Sequence, residues 1–290
     1  MAGLDALLYR SEPTSWERFW ASPALYLAQR VYHRTKRGPP THVDEESLIR
    51  VVCISDTHNS HLSQPPLPEG DLLIHAGDLT HSGTPTEVAE VLAWLSSQPH
   101  AHKVVIAGNH DGALVDPAMR DQLLQAHPTL QYLEDAATQI TVRGRTLRIY
   151  GSPRTPKNGG GSFHYPRARP DVLVTHGPPF AHLDLGSTTG CTALLTTLWR
   201  VRPRLHIFGH IHGARGVEFA TWGRAQLAYE DVCRAKGGWV AFARLVVWTT
   251  VEKFGAWWNP STAEGTILVN AAAVGGLRDE KRRGAIDVYI

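Results

Sequence analysis

The stretch "LIRVVCISDTHNS" at residues 48–60 passes from a β-branched apolar run directly into Asp56 and His58. A continuous apolar run of this length predicts a short strand that is buried on both faces. Six later stretches share the pattern: "GDLLIHAGDLTHSG" (70–83), "HKVVIAGNHDG" (102–112), "RTLRIYGSPRTP" (145–156), "DVLVTHGPPF" (171–180), "RLHIFGHIHG" (204–213) and "GTILVNAAA" (265–273). Together they predict sheets whose strands are covered on both sides.

Helix-like segments lie between several of these strands. In "TPTEVAEVLAWLSSQ" (84–98), Thr84 can cap a helix, Pro85 suits its first turn and Glu87 completes a capping box. A second such segment is "GCTALLTTLWRV" (190–201). Alternating strands and helices predict an α/β fold whose chemistry gathers at the carboxyl ends of the strands.

The composition narrows the class of protein. The chain has 290 residues, 42% of them hydrophobic, and a net charge of +2, which is too small to indicate a nucleic-acid polymer as partner. Its cysteines, Cys53, Cys191 and Cys233, are far apart, which argues against a disulfide framework and a zinc-finger module. The first residues contain no apolar signal region, so we expect a cytoplasmic protein.

The segment 239–258 is the most apolar long stretch of the chain. Arg244, Glu252 and Lys253 interrupt it, so it does not predict a transmembrane helix. Its four tryptophans suit a membrane interface, but an amphipathic helix that packs on its own domain or on a second subunit is the favoured interpretation.

Five fragments at the predicted strand ends supply carboxylate, amide and imidazole side chains: Asp56 and His58, Asp78, Asn109 and His110, His176, and His210 and His212. Each fragment alone is weak, but five of them in this position are hard to explain as ordinary polar residues. His210 and His212 would lie on the same side of an extended backbone. Neutral imidazole pairs of this kind are good ligands for zinc, iron or manganese.

The order D-x-H, G-D, G-N-H-D, H-G-P-P, G-H-x-H resembles the calcineurin-like metallophosphoesterase superfamily, and within it the small metallophosphoesterase-domain-containing branch. The match runs from about residue 50 to 213, and "ILVNAA" resembles the closing strand of the family. The resemblance implies two facing mixed β-sheets flanked by helices, a four-layer sandwich. It also implies two divalent metal ions: the first held by Asp56, His58 and His212, the second by Asn109, His176 and His210, with Asp78 bridging both. Manganese, iron and zinc suit this ligand set equally.

The resemblance also implies a mechanism in which a metal-bound hydroxide attacks the phosphorus atom. His110 is not needed as a ligand, so we assign it to phosphate binding and to protonating the leaving oxygen as a general acid. In the phosphoprotein phosphatases of the superfamily, an aspartate three residues after the bridging aspartate orients this histidine; here that position is His81. This departure favours a phosphodiesterase that acts on a small molecule or a nucleotide.

For the domain organisation, we expect residues 1–49 to form an N-terminal extension that packs on the core. Residues 50–290 would form the metallophosphoesterase domain, with an insertion at about 214–264 that shapes substrate choice or forms a homo-oligomer contact. The glycine-rich stretch 157–166 predicts a mobile loop. Arg154 and Lys157 could meet an anionic substrate, but a solvated loop face is the favoured interpretation. Two alternatives stay open: the same metal site acting on a non-phosphate small metabolite, and a catalytically weak binding or scaffold protein.

Overall fold

The computed structural model describes residues 14–35, 38, 48–153, 166, 168–186, 189–258, 265–276 and 279–290. It divides into two compact units. One unit, here called the sandwich unit, consists of residues 39–220 and 265–290; the other, called the helical unit, consists of residues 1–38 and 221–264. Each unit is described below by itself.

The sandwich unit contains two large sheets. Its described strands are β1 (Arg50–Ile54), β2 (Leu72–Ala76), β3 (His102–Ile106), β4 (Leu130–Tyr132), β5 (Ala136–Val142), β6 (Arg145–Ser152), β7 (Val172–Thr175), β8 (Leu205–Phe208), β9 (Gly216–Ala220), β10 (Thr266–Asn270), β11 (Val274–Gly275), β12 (Lys281–Arg282) and β13 (Ile286–Tyr289). The first sheet has the order β13-β1-β2-β3-β4, and the second β5-β6-β7-β8-β10-β9. In these two sheets the edge strands β13, β5 and β9 run antiparallel to their neighbours and the other described pairs are parallel, so both sheets are mixed.

The described helices of this unit are α3 (Pro85–Ser97), α4 (Pro117–Gln125) and α5 (Thr192–Val201). The predicted capping box of α3 is present, since the Thr84 hydroxyl accepts from Glu87 N and the Glu87 carboxylate accepts from Thr84 N. Capping of this kind satisfies amide groups that a helix start leaves unpaired. The helix therefore begins where the sequence predicts.

Alternate side chains of β1, β2 and β3 contribute to two different apolar cores. On β1, Val51 and Cys53 point towards the second sheet and join Ile149, Val174 and Ile207 in one cluster. Their neighbours Val52 and Ile54 point the opposite way and pack with apolar residues of α3, among them Val88, Leu92 and Leu95. Period-two alternation with both faces apolar explains the continuous hydrophobic runs. The predicted fold, two facing mixed sheets flanked by helices, is confirmed.

The helical unit contains α1 (Ser15–Ala21), α2 (Pro23–Thr35), α6 (Arg224–Cys233) and α7 (Gly238–Trp258). α2 packs against both α6 and α7, and the rings of Tyr32 and Tyr229 stack at 4.0 Å between centroids. N-terminal helices and the inserted segment thus share one unit. No helix among the described residues is both long and apolar enough to cross a bilayer.

The first residues of the predicted insertion form a strand of the sandwich unit. Residues 216–220 form β9, which pairs antiparallel with β10 from Gly216↔Asn270 to Ala220↔Thr266, so the helical part starts at Thr221. The packing of residues 1–49 on the core stays a prediction. The predicted mobile loop, with Arg154 and Lys157, lies almost entirely outside the described residues.

Candidate metal centre

The predicted site residues lie in loops that follow five parallel strands, three from the first sheet and two from the second. β1 leads to Asp56 and His58, β2 to Asp78, β3 to Asn109 and His110, β7 to His176, and β8 to His210 and His212. The loops meet, because three groups have ligand atoms within 4.8 Å of one another: Asp56, His58 and His212; His58, Asp78 and His110; and Asp78, His176 and His210. Asn109 joins them, with Oδ1 2.9 Å from His176 Nε2.

Three of the imidazole rings are oriented through Nδ1. His58 Nδ1 lies 3.1 Å from the Thr80 carbonyl oxygen, and His176 Nδ1 lies 3.0 Å from the Ala76 carbonyl oxygen. His212 Nδ1 lies 2.7 Å from Asp279 Oδ1. Since carbonyl and carboxylate oxygens only accept, Nδ1 must carry the hydrogen in each ring. Nε2 is therefore directed at the carboxylates, and an outer acceptor on Nδ1 is the usual arrangement around histidines that bind metals.

The Nε2 atoms of these histidines lie close to other nitrogen and oxygen atoms that carry lone pairs. His58 Nε2 lies 3.3 Å from His212 Nε2 and 3.8 Å from Asp78 Oδ2, and His176 Nε2 lies 3.2 Å from Asp78 Oδ2. In neutral rings whose hydrogen is on Nδ1, these nitrogens and oxygens repel unless positive charge lies among them. Protons or metal cations can supply that charge. The donor set, imidazole with carboxylate and amide oxygen, fits divalent cations.

The charges of the site show the same demand for a cation. Burial lowers the pKa of His176 and of His212, but Asp78 beside the first ring and Asp56 with Asp279 beside the second raise each pKa to about 9. Burial likewise works to raise the pKa of Asp78, yet hydrogen bonding to His176 holds it well below its usual value. Burial also works to raise the pKa of Asp56, but its hydrogen bond to His212 lowers it, so Asp56 and Asp78 both stay ionised in a largely buried site.

The backbone is strained where the predicted ligands lie. Asp56, His58, Asp78 and His210 have φ angles of 53°, 41°, 52° and 67°, in the left-handed region that residues with a Cβ avoid. Such outliers cluster at functional sites because fold stability alone does not require them. The alternating side-chain directions of the strands therefore do not continue into these loops.

Two glycines allow carboxylates to press against backbone. A Cβ at Gly108 would lie 2.2 Å from Asp78 Oδ1, and one at Gly209 would lie 2.0 Å from Asp56 Oδ2. Neither distance is compatible with a larger residue, since the opposing atom belongs to a short, buried side chain. The glycines of the "GNH" and "GHIH" fragments thus serve the site directly.

His110 lies beside the three anchored histidines. Its backbone N–H donates to Asp78 Oδ1 at 2.8 Å, and its ring meets that of His58 edge-on at 4.9 Å between centroids. His110 Nδ1 lies 2.8 Å from the carbonyl oxygen of His81. The carbonyl oxygen of His81 therefore orients the His110 ring, which is the role that an aspartate side chain has in the phosphoprotein phosphatases of the superfamily.

Comparison with known proteins fits this geometry. The model of the calcineurin-like phosphoesterase family matches residues 49–214, which is more than half of the chain. The chain belongs to the calcineurin-like phosphoesterase family. The sequence resemblance is confirmed, and the matched residues include all eight side chains of the cluster.

A sequence relative supports the small metallophosphoesterase-domain-containing branch. Human metallophosphoesterase domain-containing protein 1 is 36% identical over 254 residues, which cover 72% of this chain and 74% of that protein. The probable rhamnogalacturonate lyase C of Emericella nidulans is 45% identical over 99% of this chain, but the chain spans only 29% of its length. Among solved structures, TT1561 of Thermus thermophilus gives a TM-score of 0.46 at 13% identity, covering 61% of this chain and 86% of that one.

The structure adds two acids that the sequence reasoning missed. Asp111 is fully buried, and its carboxylate accepts from Leu79 N, Thr80 N and Gly108 N at 2.8–3.2 Å, tying the loop after β2 to the loop after β3. It directly follows His110, so the "GNHD" fragment offered a signal for it. Asp279 had none, because it lies 67 residues beyond His212 in a segment without a family motif.

The "GHIH" geometry differs from the expected extended strand. β8 ends at Phe208, His210 has a positive φ, and His212 begins a short 3-10 turn over His212–Ala214. The two rings are therefore not placed by an extended backbone: His212 joins Asp56 and His58, whereas His210 joins Asp78 and His176, which is the division that the family resemblance implies. One short loop thereby reaches two separate groups of side chains.

The remaining histidines near the motifs lie outside the three groups. His75 Nε2 lies 3.1 Å from the Thr57 hydroxyl, and His182 Nδ1 lies 2.8 Å from the buried Glu218 carboxylate. The His61 ring packs 5.5 Å from that of Trp94. These contacts agree with packing roles, and His164 lies outside the described residues.

Proposed function

We propose that the chain is a dinuclear metal-dependent phosphoesterase that hydrolyses a phosphodiester of a small molecule or a nucleotide. One observation carries the proposal: three histidines, each anchored through Nδ1, aim Nε2 atoms at Asp56 and Asp78. Family membership supports phosphoester hydrolysis as the reaction class. The repulsion between neighbouring nitrogen and oxygen lone pairs gives the physical reason for a bound cation.

The two sets of side chains would hold one cation each. Asp56, His58 and His212 form the first set, and Asn109, His176 and His210 form the second, with Asp78 close to both. When bound, divalent ions would supply Lewis-acid charge to phosphoryl oxygens and lower the pKa of water. The strained, anchored loops would keep the donor atoms in place before substrate arrives.

His110 would act on the leaving oxygen of the substrate. Its Nδ1–H is held by the His81 carbonyl, so Nε2 is the ring atom left to donate a proton. Since a carbonyl oxygen only accepts, this hydrogen bond fixes the hydrogen on Nδ1 and sets the orientation of the ring. This supports a role as general acid for leaving groups that need protonation.

The proposal is tested with metal-stripped protein reloaded separately with manganese, zinc or iron(II). Each form is assayed against bis(nitrophenyl) phosphate, nitrophenyl phosphate and cyclic nucleotides. We expect metal-dependent turnover in which kcat/KM for a diester exceeds that for the monoester. A higher kcat/KM for the monoester would overturn the proposed diester preference, but it would still agree with a phosphoesterase activity.

The same assay separates the alternatives. Tight metal binding without turnover of any phosphate ester would favour a non-phosphate substrate or a scaffold role, and metal analysis would show which metals are retained. His127, whose ring lies outside the cluster, gives a matched control: His127→Ala should keep the metals and the rate. The cytoplasmic location and the homo-oligomer through 214–264 stay predictions.

A further inference from the structure

One face of α7 leaves a row of large apolar side chains exposed. Eight are affected: Trp239, Val240, Val246, Val247, Val251, Phe254, Trp257 and Trp258. Of the sixteen large apolar side chains exposed among the described residues, eleven lie in the helical unit. Soluble surfaces rarely concentrate apolar side chains in this way unless the patch meets a partner.

The exposed charges on this helix all have one sign. Its single acid, Glu252, is turned inward, where Oε1 accepts from Ala225 N at 3.0 Å in the first turn of α6. Arg244 and Lys253 are exposed, and neither forms an ion pair with any described residue. The face therefore presents cations among apolar side chains and no exposed acid.

The whole helical unit shares this bias. It contains eleven Lys and Arg against seven Asp and Glu, a net charge of +4, whereas the complete chain carries +2. The unit also holds seven of the nine tryptophans, including Trp16 and Trp20, which are 68% and 62% exposed on α1. The sandwich unit is therefore net negative, and the net positive charge of the chain comes from the unit with the apolar face.

Tryptophan combined with Lys and Arg is the composition that suits the boundary between lipid headgroups and acyl chains. A second copy of the chain would oppose Arg244 and Lys253 with the same cations, because a two-fold contact pairs one patch with itself. An anionic surface complements those charges instead. Charge therefore favours lipid over self-association.

We propose that the exposed face of α7 docks on the surface of a bilayer that contains anionic phospholipid. The opposite side of the helix is packed against α2 and α6, so the helix lies along the interface and does not cross it. Val247, Phe254 and Trp258 enter the headgroup boundary, and the two cations contact lipid phosphates. The proposal is independent of the reaction at the metal centre.

Flotation of the full-length chain with vesicles tests the proposal. We expect binding to phosphatidylcholine vesicles that contain phosphatidylserine, weak binding to phosphatidylcholine alone, and release at high salt. Val247→Asp should weaken partitioning by at least about tenfold, because a buried apolar contact becomes a charge. Val115→Asp is the matched control, since Val115 is an exposed valine of the sandwich unit, and it should bind as the unchanged chain does.

A second variant tests the charge component. The double change Arg244→Glu and Lys253→Glu should abolish the preference for phosphatidylserine, while melting by circular dichroism stays that of the unchanged chain. Absence of flotation, or equal loss in Val247→Asp and Val115→Asp, would overturn the proposal. Light scattering that shows a dimer broken by Val247→Asp, without vesicle binding, would identify a second copy as the occupant and also overturn it.

Discussion

The two units of the molecule depart from an ordinary soluble surface in opposite ways. The sandwich unit buries polar side chains, among them Asp56, Asp78 and His176, which are at most 2% exposed. The helical unit exposes apolar ones, with Trp257 and Trp258 at 76% and 81%. Buried polar groups and exposed apolar patches are the two informative exceptions to hydrophobic burial. In the sandwich unit the buried polar side chains mark the candidate metal centre. In the helical unit the exposed apolar side chains mark the proposed docking surface.

The largest effect is expected from a change to Asp78, a buried acid that lies close to both sets of donor side chains. Asp78→Asn should lower kcat/KM by on the order of 10³–10⁴-fold, because it removes a charge shared by both sets of donors. Elemental analysis should show loss of both metals. Asp116→Asn, at the start of α4, is the control and should retain them. Two tightly held ions with a normal rate in Asp78→Asn would contradict the bridging role.

A second prediction separates proton donation from metal binding. His110→Ala should keep both metals but lose about 10²–10⁴-fold in rate on an alkyl or nucleotide ester, whose leaving oxygen needs a proton. The loss should be smaller on a nitrophenyl ester, whose leaving group departs without help. Steady-state kinetics on both esters measures the difference. Equal losses would indicate phosphate positioning, and loss of metal would make His110 a ligand.

Asp279 sharpens the comparison, because it acts from the rim of the site. Asp279→Ala removes the acceptor that orients His212, so metal affinity should fall by about 10–100-fold. Titration calorimetry with zinc measures this loss, and Asp279→Asn, which keeps an acceptor oxygen, should recover most of the affinity. An unchanged affinity in Asp279→Ala would show that the ring is held by other contacts.

The buried histidines of the sandwich unit predict a loss of stability in acid. Burial lowers the pKa of His206 to about 3, far below the ordinary value near 6.5. Its stabilising contribution is complete above that ordinary value and declines as pH falls, because only the unfolded chain takes up the proton. The cost at pH 5 is roughly 2 kcal/mol. Urea unfolding at pH 7 and pH 5 should show a smaller difference in His206→Gln than in the unchanged chain.

The smallest effect is expected in the helical unit. Val247→Asp should change the rate of phosphate-ester hydrolysis little and the unfolding free energy by no more than about 0.5 kcal/mol, since exposed positions contribute little to packing. Enzyme kinetics and urea unfolding check both values. A large loss of either would mean that the face of α7 supports the fold or the site, and that the contrast between the units is wrong.

The sequence predicts those parts of the site that depend on local order. Asp56, His58, Asp78 and His176 follow apolar strands within a few residues, so strand direction alone brings them to a common place. The directions of His210 and His212 are harder to predict, because a positive φ at His210 and a 3-10 turn that begins at His212 replace the extended backbone after β8. The local sequence pattern therefore predicts where strands end, but it does not predict the backbone conformation of the loops that follow them.

Contacts between distant segments escape the sequence. Asp279 reaches His212 only because the chain returns past the site after β10. The pairing of α2 with α6 and α7 joins segments that lie about 200 residues apart in the chain, without any shared motif. Periodicity predicts that such helices exist, but it does not say which helices meet.

The pairing of Ala220 with Thr266 has a consequence for how this chain tolerates change. In polymer terms, the 45 residues between them are a loop whose two ends are pinned at one point of a hairpin. Growing a hairpin turn of a few residues to this length costs only about 2 kcal/mol of closure entropy, since that cost rises with the logarithm of length. Loop closure by itself therefore sets little limit on the length of the segment that the tip of this hairpin carries. Chains built on this scaffold can diversify there while the catalytic loops at the strand ends stay unchanged.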